Sequence, residues 1–227
     1  LSLRRQRQMC IRDRVKLYGV FVFLFNKIDW NMACTNLKLD KVAVRKMMTQ
    51  RRNDLNAEEI IELSRKIEGN LFSCEDFLSR QHILYYLSFG KEVSTDAMIV
   101  RSLLLHKKVY VPRIKKNGKE MEICEIKSLE TDFELNNFGI REPSGTCIHI
   151  VSPNKIDVVV TPGLAFDCSG GRIGSGGGYF DKLFEDLQDN SLSIGIAYSF
   201  QILGSLHQDS WDKKVQKVIT EEGMLKG

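Results

Sequence analysis

Two charged residues flank a cluster of glycines in residues 172–181 (RIGSGGGYFD). Arg172 precedes the cluster and Asp181 follows it, and the glycines between them are Gly174, Gly176, Gly177 and Gly178. Glycines let backbone N–H groups approach an anion closely, and a guanidinium can hold a phosphate through two parallel hydrogen bonds. A carboxylate beside phosphates is a natural magnesium ligand. The segment therefore indicates a phosphate-bearing ligand near residues 172–181, and the alternative is a flexible surface loop.

The residues on either side predict a strand before this loop and a helix after it. The apolar, β-branched run Ile156–Thr161 is typical of a buried strand, which Pro162-Gly163 ends. Tyr179, Leu183 and Leu187 recur at the spacing of one helix face. The loop matches neither common nucleotide fingerprint. It lacks the Lys-Ser or Lys-Thr of a P-loop, and the third glycine of G-x-G-x-x-G would fall at Tyr179.

Helical and strand patterns alternate along the rest of the chain. Asn56 and Glu59 form a capping-box pattern, which predicts a helix near residues 57–72. Further helices are predicted over residues 39–52 and from Thr95 or Asp96 to His106, and strands at His82–Ser88, Lys108–Ile114, Met121–Ile126, Leu192–Ser199 and within Asp212–Thr220. This alternation predicts an α/β protein with a single three-layer domain and a mostly parallel sheet.

Charge and cysteine usage point to small-molecule partners and a reducing compartment. The chain of 227 residues has a net charge of +4, but residues 1–14 hold five arginines and one acid, and the remainder has 28 basic and 28 acidic residues. We expect no nucleic-acid partner, because such proteins carry a basic stripe. We expect no membrane partner either, because the apolar run 17–25 is too short to span a bilayer. Six cysteines without regular spacing favour reduced thiols and a cytoplasmic location.

The sequence PGLAFD…GRIGSGGGYFD resembles the signature of the 5-formyltetrahydrofolate cyclo-ligase family, also called 5,10-methenyltetrahydrofolate synthetases. Three further pieces occur in family order: Lys41-x-x-x-Arg45, Leu87-x-x-x-x-Glu92, and Phe138-Gly139-Ile140-x-Glu142-Pro143. The resemblance covers about residues 39–222. It implies the cyclo-ligase (NagB/RpiA/CoA-transferase-like) architecture, a monomer, and the ATP-dependent cyclisation of 5-formyltetrahydrofolate with Mg²⁺.

The resemblance also implies a role for each matching residue. Arg172, Tyr179 and Asp181 would be catalytic, and Asp181 and Asp212 would bind the metal. ATP would contact Lys41, Val42, Ala43, Val44, Arg45, Arg172, Ile173, Gly174, Ser175, Gly176, Gly177, Gly178, Tyr179 and Phe180. The folate would contact Leu87, Glu92, Phe138, Ser175, Gly176, Gly177, Gly178 and Tyr179.

Some of these roles have plain structural alternatives. Lys41 and Arg45 lie one helical turn apart, able to clasp adjacent phosphates, but they also fit a solvated basic helix face. Glu92 could accept hydrogen bonds from a pterin or be a surface carboxylate after a turn. Asp212 could be an ordinary acid beside a strand. Tyr85, Tyr86 and Phe89 are predicted to pack in the core, as strand aromatics usually do.

Three positions depart from the family pattern. Ser175 stands where many members carry arginine, Phe180 replaces a tyrosine, and Gln216 replaces an aspartate of the last strand. Loss of the arginine would weaken ATP binding by about 1–3 kcal/mol if its partner stays buried. Two alternatives therefore stay open. The chain could be a paralogue that acts on another formyl or amide substrate in an ATP-dependent reaction, or a non-catalytic domain that binds a nucleotide or folate or is associated with RNA.

Residues 1–31 lie outside the resemblance. We expect them to be an artefactual extension that precedes the domain at residues 32–227, because Leu1 is not an initiator and Met32 stands just before the family-like region. A genuine targeting segment is the alternative.

Overall fold

A computed structural model describes residues 40–115, 120–130, 133–135, 139, 141–143 and 149–226. Its helices are α1 (Lys41–Asn53), α2 (Ala57–Leu71), α3 (Glu75–Leu78), α4 (Asp96–Leu104) and α5 (Tyr179–Glu185). Its strands are β1 (His82–Tyr85), β2 (Lys108–Ile114), β3 (Met121–Ile126), β4 (Phe133–Leu135), β5 (Arg141–Pro143), β6 (His149–Val151), β7 (Val158–Thr161), β8 (Ala165–Asp167), β9 (Arg172–Ile173), β10 (Leu192–Ile196), β11 (Ile202–Leu203), β12 (Lys217–Thr220) and β13 (Gly223–Lys226).

The central sheet has eight strands in the order β13-β12-β10-β7-β1-β2-β3-β6. Its five middle strands, from β12 to β2, run parallel to one another. The outer strands β13, β3 and β6 pair antiparallel. The predicted α/β fold with a mostly parallel sheet is therefore confirmed, and the carboxyl ends of the middle strands meet along one edge.

Alternate residues of β7 enter different layers of the protein. Val158 and Val160 belong to a core that includes Ile67 of α2 and Met98 of α4, whereas Val159 packs in the core that contains Leu183 of α5. Helices thus cover both faces of the sheet, as three layers require. The side chains of all three valines are fully buried, which explains the continuous apolar run in the sequence.

Local signals predicted most helix ends well. The capping box at α2 is present: the Asn56 side chain accepts a hydrogen bond from Glu59 N at 2.9 Å, and Glu59 accepts one from Asn56 N at 2.8 Å.

The strands differ more from their predicted bounds. Strand β1 is shorter than predicted, since it ends at Tyr85. Strand β13, after the predicted last strand, was missed. The predicted strands β2 and β3 are both present, and they pair antiparallel as a hairpin.

The described part of the chain contains no helix that combines the length and the apolar composition needed to cross a membrane. Its three cysteines, Cys74, Cys124 and Cys168, are free thiols, and the first two are buried. Residues 1–31, for which the sequence predicts an extension, lie outside the described residues.

Candidate active site

A cleft of about 920 Å³ opens at the carboxyl edge of the parallel strands. The chain leaving β1 contributes Tyr86 and Leu87, the end of β2 contributes Ile114, and the turn after β7 contributes Pro162 and Gly163. This edge is where open α/β sheets bind ligands, because loops diverge there and leave a crevice.

The hairpin β8–β9 positions Arg172 in the wall of this cleft. Asp167 at the end of β8 is buried, and its Oδ1 accepts hydrogen bonds from Ser169 N at 2.9 Å and Gly171 N at 2.8 Å. Its Oδ2 accepts another from Leu206 N at 2.9 Å. The hydrogen-bonded turn therefore fixes where β9 begins. The sequence predicted only a loop here, so both strands of the hairpin are a finding of the structure.

Arg172 is nearly enclosed although it is charged. Its side chain is 5% exposed, and its guanidinium carbon lies 5.9 Å from the ring centre of Phe180 and 5.6 Å from that of Phe184. Its Nη2 donates to Asp181 Oδ1 at 2.6 Å. Its Nε is buried and has no hydrogen-bond partner among the described residues. A buried guanidinium that keeps an unused donor in a cleft wall is suited to an anionic ligand.

The glycine loop lies between Arg172 and helix α5. Gly176 and Gly178 have φ angles of 107° and 66°, values that residues with a Cβ rarely adopt, and Gly178 is the N-cap of α5. Residues 175–178 are exposed to the cleft. Arg45 Nε donates to Gly174 O at 2.9 Å, and its guanidinium lies about 4 Å from where a Cβ at Gly176 would stand. Arg45 therefore runs along the loop and does not extend into solvent.

Lys41 lies one turn earlier on α1, on the same face as Arg45. Its Nζ donates to Asp209 Oδ2 at 2.6 Å and also to Asp212 Oδ2. Burial alone would lower the pKa of Lys41, but the hydrogen bonds that Lys41 donates to the two aspartates, together with their negative charges, outweigh burial and raise that pKa. The hydrogen bond from Lys41 lowers the pKa of Asp209 in turn. The solvated-face interpretation of Lys41 and Arg45 is therefore wrong, whereas it fits Lys46, which is exposed.

Glu92 lines the cleft together with Leu87 and Phe89. Phe89 N donates to Glu92 Oε2 at 3.2 Å, and Arg52 Nη1 lies 3.5 Å from Oε1. Burial raises the pKa of Glu92, and the charge of Arg52 partly opposes that rise. Glu92 is thus a largely buried carboxyl group, not the surface carboxylate of the alternative interpretation. Phe138, which was also predicted to contact the folate, lies outside the described residues.

Other predicted contacts fall in different places. Val44 is a core residue at 1% exposure and Val42 is 71% exposed, and neither is among the described residues that line the cleft. Tyr85 and Tyr86 are buried as predicted. The prediction for Phe89 is wrong: it is 47% exposed at the cleft, because β1 ends four residues before it.

Asp181 and Asp212 are the two residues predicted to bind a metal, and both line the cleft. No group of three His, Cys, Asp or Glu side chains is close enough to hold a metal among the residues the structure describes. Mg²⁺ in nucleotide sites is commonly held by one or two carboxylates together with phosphate oxygens and water. Two carboxylates in the cleft that also contains the glycine loop fit that pattern.

Among the cleft residues that sequence reasoning missed are Arg52, Asp209 and Trp211. Arg52 is the last residue of the helix predicted over residues 39–52, and its partner Glu92 lies 40 positions away. Asp209 contacts Lys41 across 168 positions. Of the three, only Asp209 had a local signal in the sequence. It lies three residues before Asp212, a spacing at which the Asp212 carboxylate can accept a hydrogen bond from the Asp209 N–H within one turn. Asp209 N donates to Asp212 Oδ2 at 2.7 Å.

Comparison with known proteins gives one consistent result. The family model described as the 5-formyltetrahydrofolate cyclo-ligase family matches residues 37–221. The 5-formyltetrahydrofolate cyclo-ligase of Haemophilus influenzae is 30% identical over 183 residues, which cover 73% of this chain and 95% of that protein. The mouse protein of the same name is 25% identical over 199 residues, covering 84% of this chain and 98% of the mouse protein.

Solved structures agree with the sequence relatives. The structure of Aquifex aeolicus 5,10-methenyltetrahydrofolate synthetase has a TM-score of 0.72 and 31% identity, and covers 82% of this chain and 92% of its own. A synthetase from Mycoplasma pneumoniae has the same fold, with a TM-score of 0.66 at 24% identity and coverage of 81% of this chain and 99% of that one. The resemblance that the signature carried is confirmed, and this chain belongs to the 5-formyltetrahydrofolate cyclo-ligase family.

Proposed function

We propose that this protein cyclises 5-formyltetrahydrofolate to 5,10-methenyltetrahydrofolate with the conversion of ATP to ADP and phosphate. The observation that carries the proposal is the arrangement of charges in one cleft. Three cations, Lys41, Arg45 and Arg172, lie around the glycine loop, and the buried carboxyl group of Glu92 lines the same cleft. Cations beside a glycine loop suit a triphosphate, and an acceptor-only carboxylate suits the N–H donors of a pterin.

The proposed chemistry has two steps. The formyl oxygen on N5 attacks the γ-phosphorus, the bond from that phosphorus to the bridging oxygen breaks, and ADP leaves. The formyl carbon then carries a phosphate ester. Nitrogen N10 attacks this carbon and loses its proton, and the carbon–oxygen bond breaks to release phosphate and the methenyl product. Neither step needs a nucleophile from the protein, which must position two ligands and neutralise charge.

The cations would stabilise the phosphoryl group as it moves. Arg172 and Arg45 would donate to phosphate oxygens, and the bare amides of residues 174–178 would approach them closely. Lys41 would bind a neighbouring phosphate. Tyr179, the first residue of α5 and part of the cleft wall, would contact both ligands. Mg²⁺ held by Asp181 and Asp212 would supply further neutralisation of the phosphates.

The folate would lie toward the end of β1. Glu92 would accept hydrogen bonds from the ring N–H and the amino group of the pterin, with Leu87 and Phe89 beside it. We propose that the enzyme acts on small molecules as a cytoplasmic monomer through the domain at residues 32–227. The near balance of 28 basic and 28 acidic residues outside residues 1–14 supports small ligands over nucleic acid.

The test uses the full-length protein with ATP, Mg²⁺ and 5-formyltetrahydrofolate. We expect near-ultraviolet absorbance of the methenyl product to rise, with one ADP and one phosphate formed for each product molecule. A reaction with a non-hydrolysable ATP analogue is the control and should give no product. Folate binding without turnover would support the binding-domain alternative and contradict this proposal.

A further inference from the structure

Arg52 and Glu92 form a charge pair that is shielded from solvent in the cleft. The side chains are 16% and 18% exposed, and Arg52 Nη1 lies 3.5 Å from Glu92 Oε1. Arg52 projects from α1, the helix that also supplies Lys41 and Arg45, and all three line the cleft. One helix thus provides cations to both the glycine loop and the carboxylate at the end of β1.

Burial in the cleft opposes ionisation of the Glu92 carboxyl group. Burial favours the neutral acid and raises the pKa of Glu92, while the charge of Arg52 and the hydrogen bond from Phe89 N lower it. A protonated Glu92 would present a donor to pterin N–H groups that are donors themselves, so only the carboxylate can accept from both. Binding of the pterin would therefore depend on the charge of Glu92.

The other titratable groups near Glu92 stay neutral at ordinary pH. Tyr86 follows β1 and Tyr198 follows β10, and Tyr198 Oη donates to the backbone O of Glu92 at 3.1 Å. Burial raises the pKa of Tyr198 to about 12 and that of Tyr86 well above its usual value. Within the described residues, Arg52 is therefore the charged side chain that acts on Glu92.

We propose that Arg52 is a positioning residue: it keeps Glu92 ionised and holds the carboxylate in place, so that Glu92 can recognise the pterin ring. This inference rests on the proposed function, since it assigns the pterin to Glu92. The ionised carboxylate retains free lone pairs after it accepts from Phe89 N and Arg52, which leaves capacity for two ligand donors. Arg52 acts through Glu92 and takes no part in the phosphoryl transfer.

The test is the pH profile of the folate KM in Arg52→Met. Without the cation, Glu92 takes up a proton at higher pH, so affinity is lost as the pH falls through the raised pKa. We expect the folate KM to rise by about tenfold near pH 6 and to approach the wild-type value near pH 9, with the KM for ATP unchanged. Arg52→Lys, which keeps the charge, should restore most of the affinity.

Arg51→Met is the matched control on the same helix. Arg51 lies over the ring of Phe200 at 5.0 Å and donates to Phe200 O at 3.3 Å, so its loss should leave the folate profile unchanged. Arg52→Gln is the second variant should the methionine variant fail to fold. An unchanged folate KM, or a rise of equal size at every pH, would overturn the inference. Failure of the proposed function is distinguishable, because the wild-type protein would then form no methenyl product.

Discussion

Arg172 and Asp181 tie together the two ends of the glycine loop. Arg172 is the first residue of β9 and Asp181 the third residue of α5, and Arg172 Nη2 donates to Asp181 Oδ1 at 2.6 Å. Asp181 Oδ1 also accepts from Lys213 N at 3.3 Å, which links the loop to the turn that carries Asp212. The pair therefore fixes the loop and brings both proposed metal ligands into one wall.

Asp181→Asn should nearly abolish turnover while the protein stays folded. The substitution keeps the shape of the side chain but removes the negative charge that faces Arg172 and that would bind the proposed metal. We expect kcat/KM to fall by about 100-fold or more, as for loss of a group that stabilises transition-state charge. Asp186→Asn, an exposed acid just after α5, is the control and should change little. Activity retained by Asp181→Asn would remove its proposed metal role.

Lys41→Met should weaken the binding of ATP and leave the binding of the folate unchanged. A lost charged hydrogen bond corresponds to an increase of about 10- to 100-fold in the KM for ATP. Lys46→Met, on the exposed face of the same helix, should leave that KM unchanged. Steady-state titration of each substrate separates the two effects. Equal KM values for ATP in both variants would show that Lys41 serves only its ion pairs with Asp209 and Asp212.

Gly176→Ala should lower ATP affinity through the backbone. The φ of 107° is unfavourable for any side chain, so we expect the loop to shift at a cost of about 1–3 kcal/mol. Gly223→Ala imposes comparable strain at φ 136° in the first residue of β13, where a Cβ would meet nothing within 4 Å. This control should lose stability and keep its KM for ATP. If Gly176→Ala binds ATP like the wild type, the loop does not depend on this conformation.

Gly69→Ala should stabilise the protein. Gly69 lies in α2, is exposed, and a Cβ there would meet no atom within 4 Å. Alanine in a helix is favoured over glycine by about 0.5–1 kcal/mol, mainly through backbone entropy. Urea unfolding should show a higher midpoint with an unchanged slope and normal turnover. A lower midpoint would contradict this prediction, because it would mean that the surface at Gly69 does not accommodate a methyl group.

The sequence predicted elements whose signals are local. The capping box of α2 involves residues three apart, and the apolar run of β7 records burial on both faces, so both were found. The hairpin β8–β9 was missed because its strands are two or three residues long, too short for periodicity. The Asp167 turn that closes this hairpin could have been found, since the run Asp-Cys-Ser-Gly-Gly at residues 167–171 is typical of side chain-to-backbone turns.

The sequence predicted the part of the site whose residues lie together in one motif. Arg172, Gly176 and Asp181 share a single segment, and the structure brings them into one cleft wall. The pairs Arg52–Glu92 and Lys41–Asp209 join residues that are 40 and 168 positions apart. Their proximity depends on sheet order, which puts the end of β1 and the residues between β11 and β12 beside α1. A single sequence contains no signal for such pairs.

The most direct test follows the oxygen atom of the formyl group. The substrate is prepared with ¹⁸O in its formyl group and is turned over with ATP and Mg²⁺ by the full-length protein, and the released phosphate is examined by mass spectrometry. Attack of the formyl oxygen on the γ-phosphorus predicts that each phosphate released with the methenyl product carries the label. Unlabelled phosphate, with ¹⁸O found in water, would contradict phosphoryl transfer to the substrate.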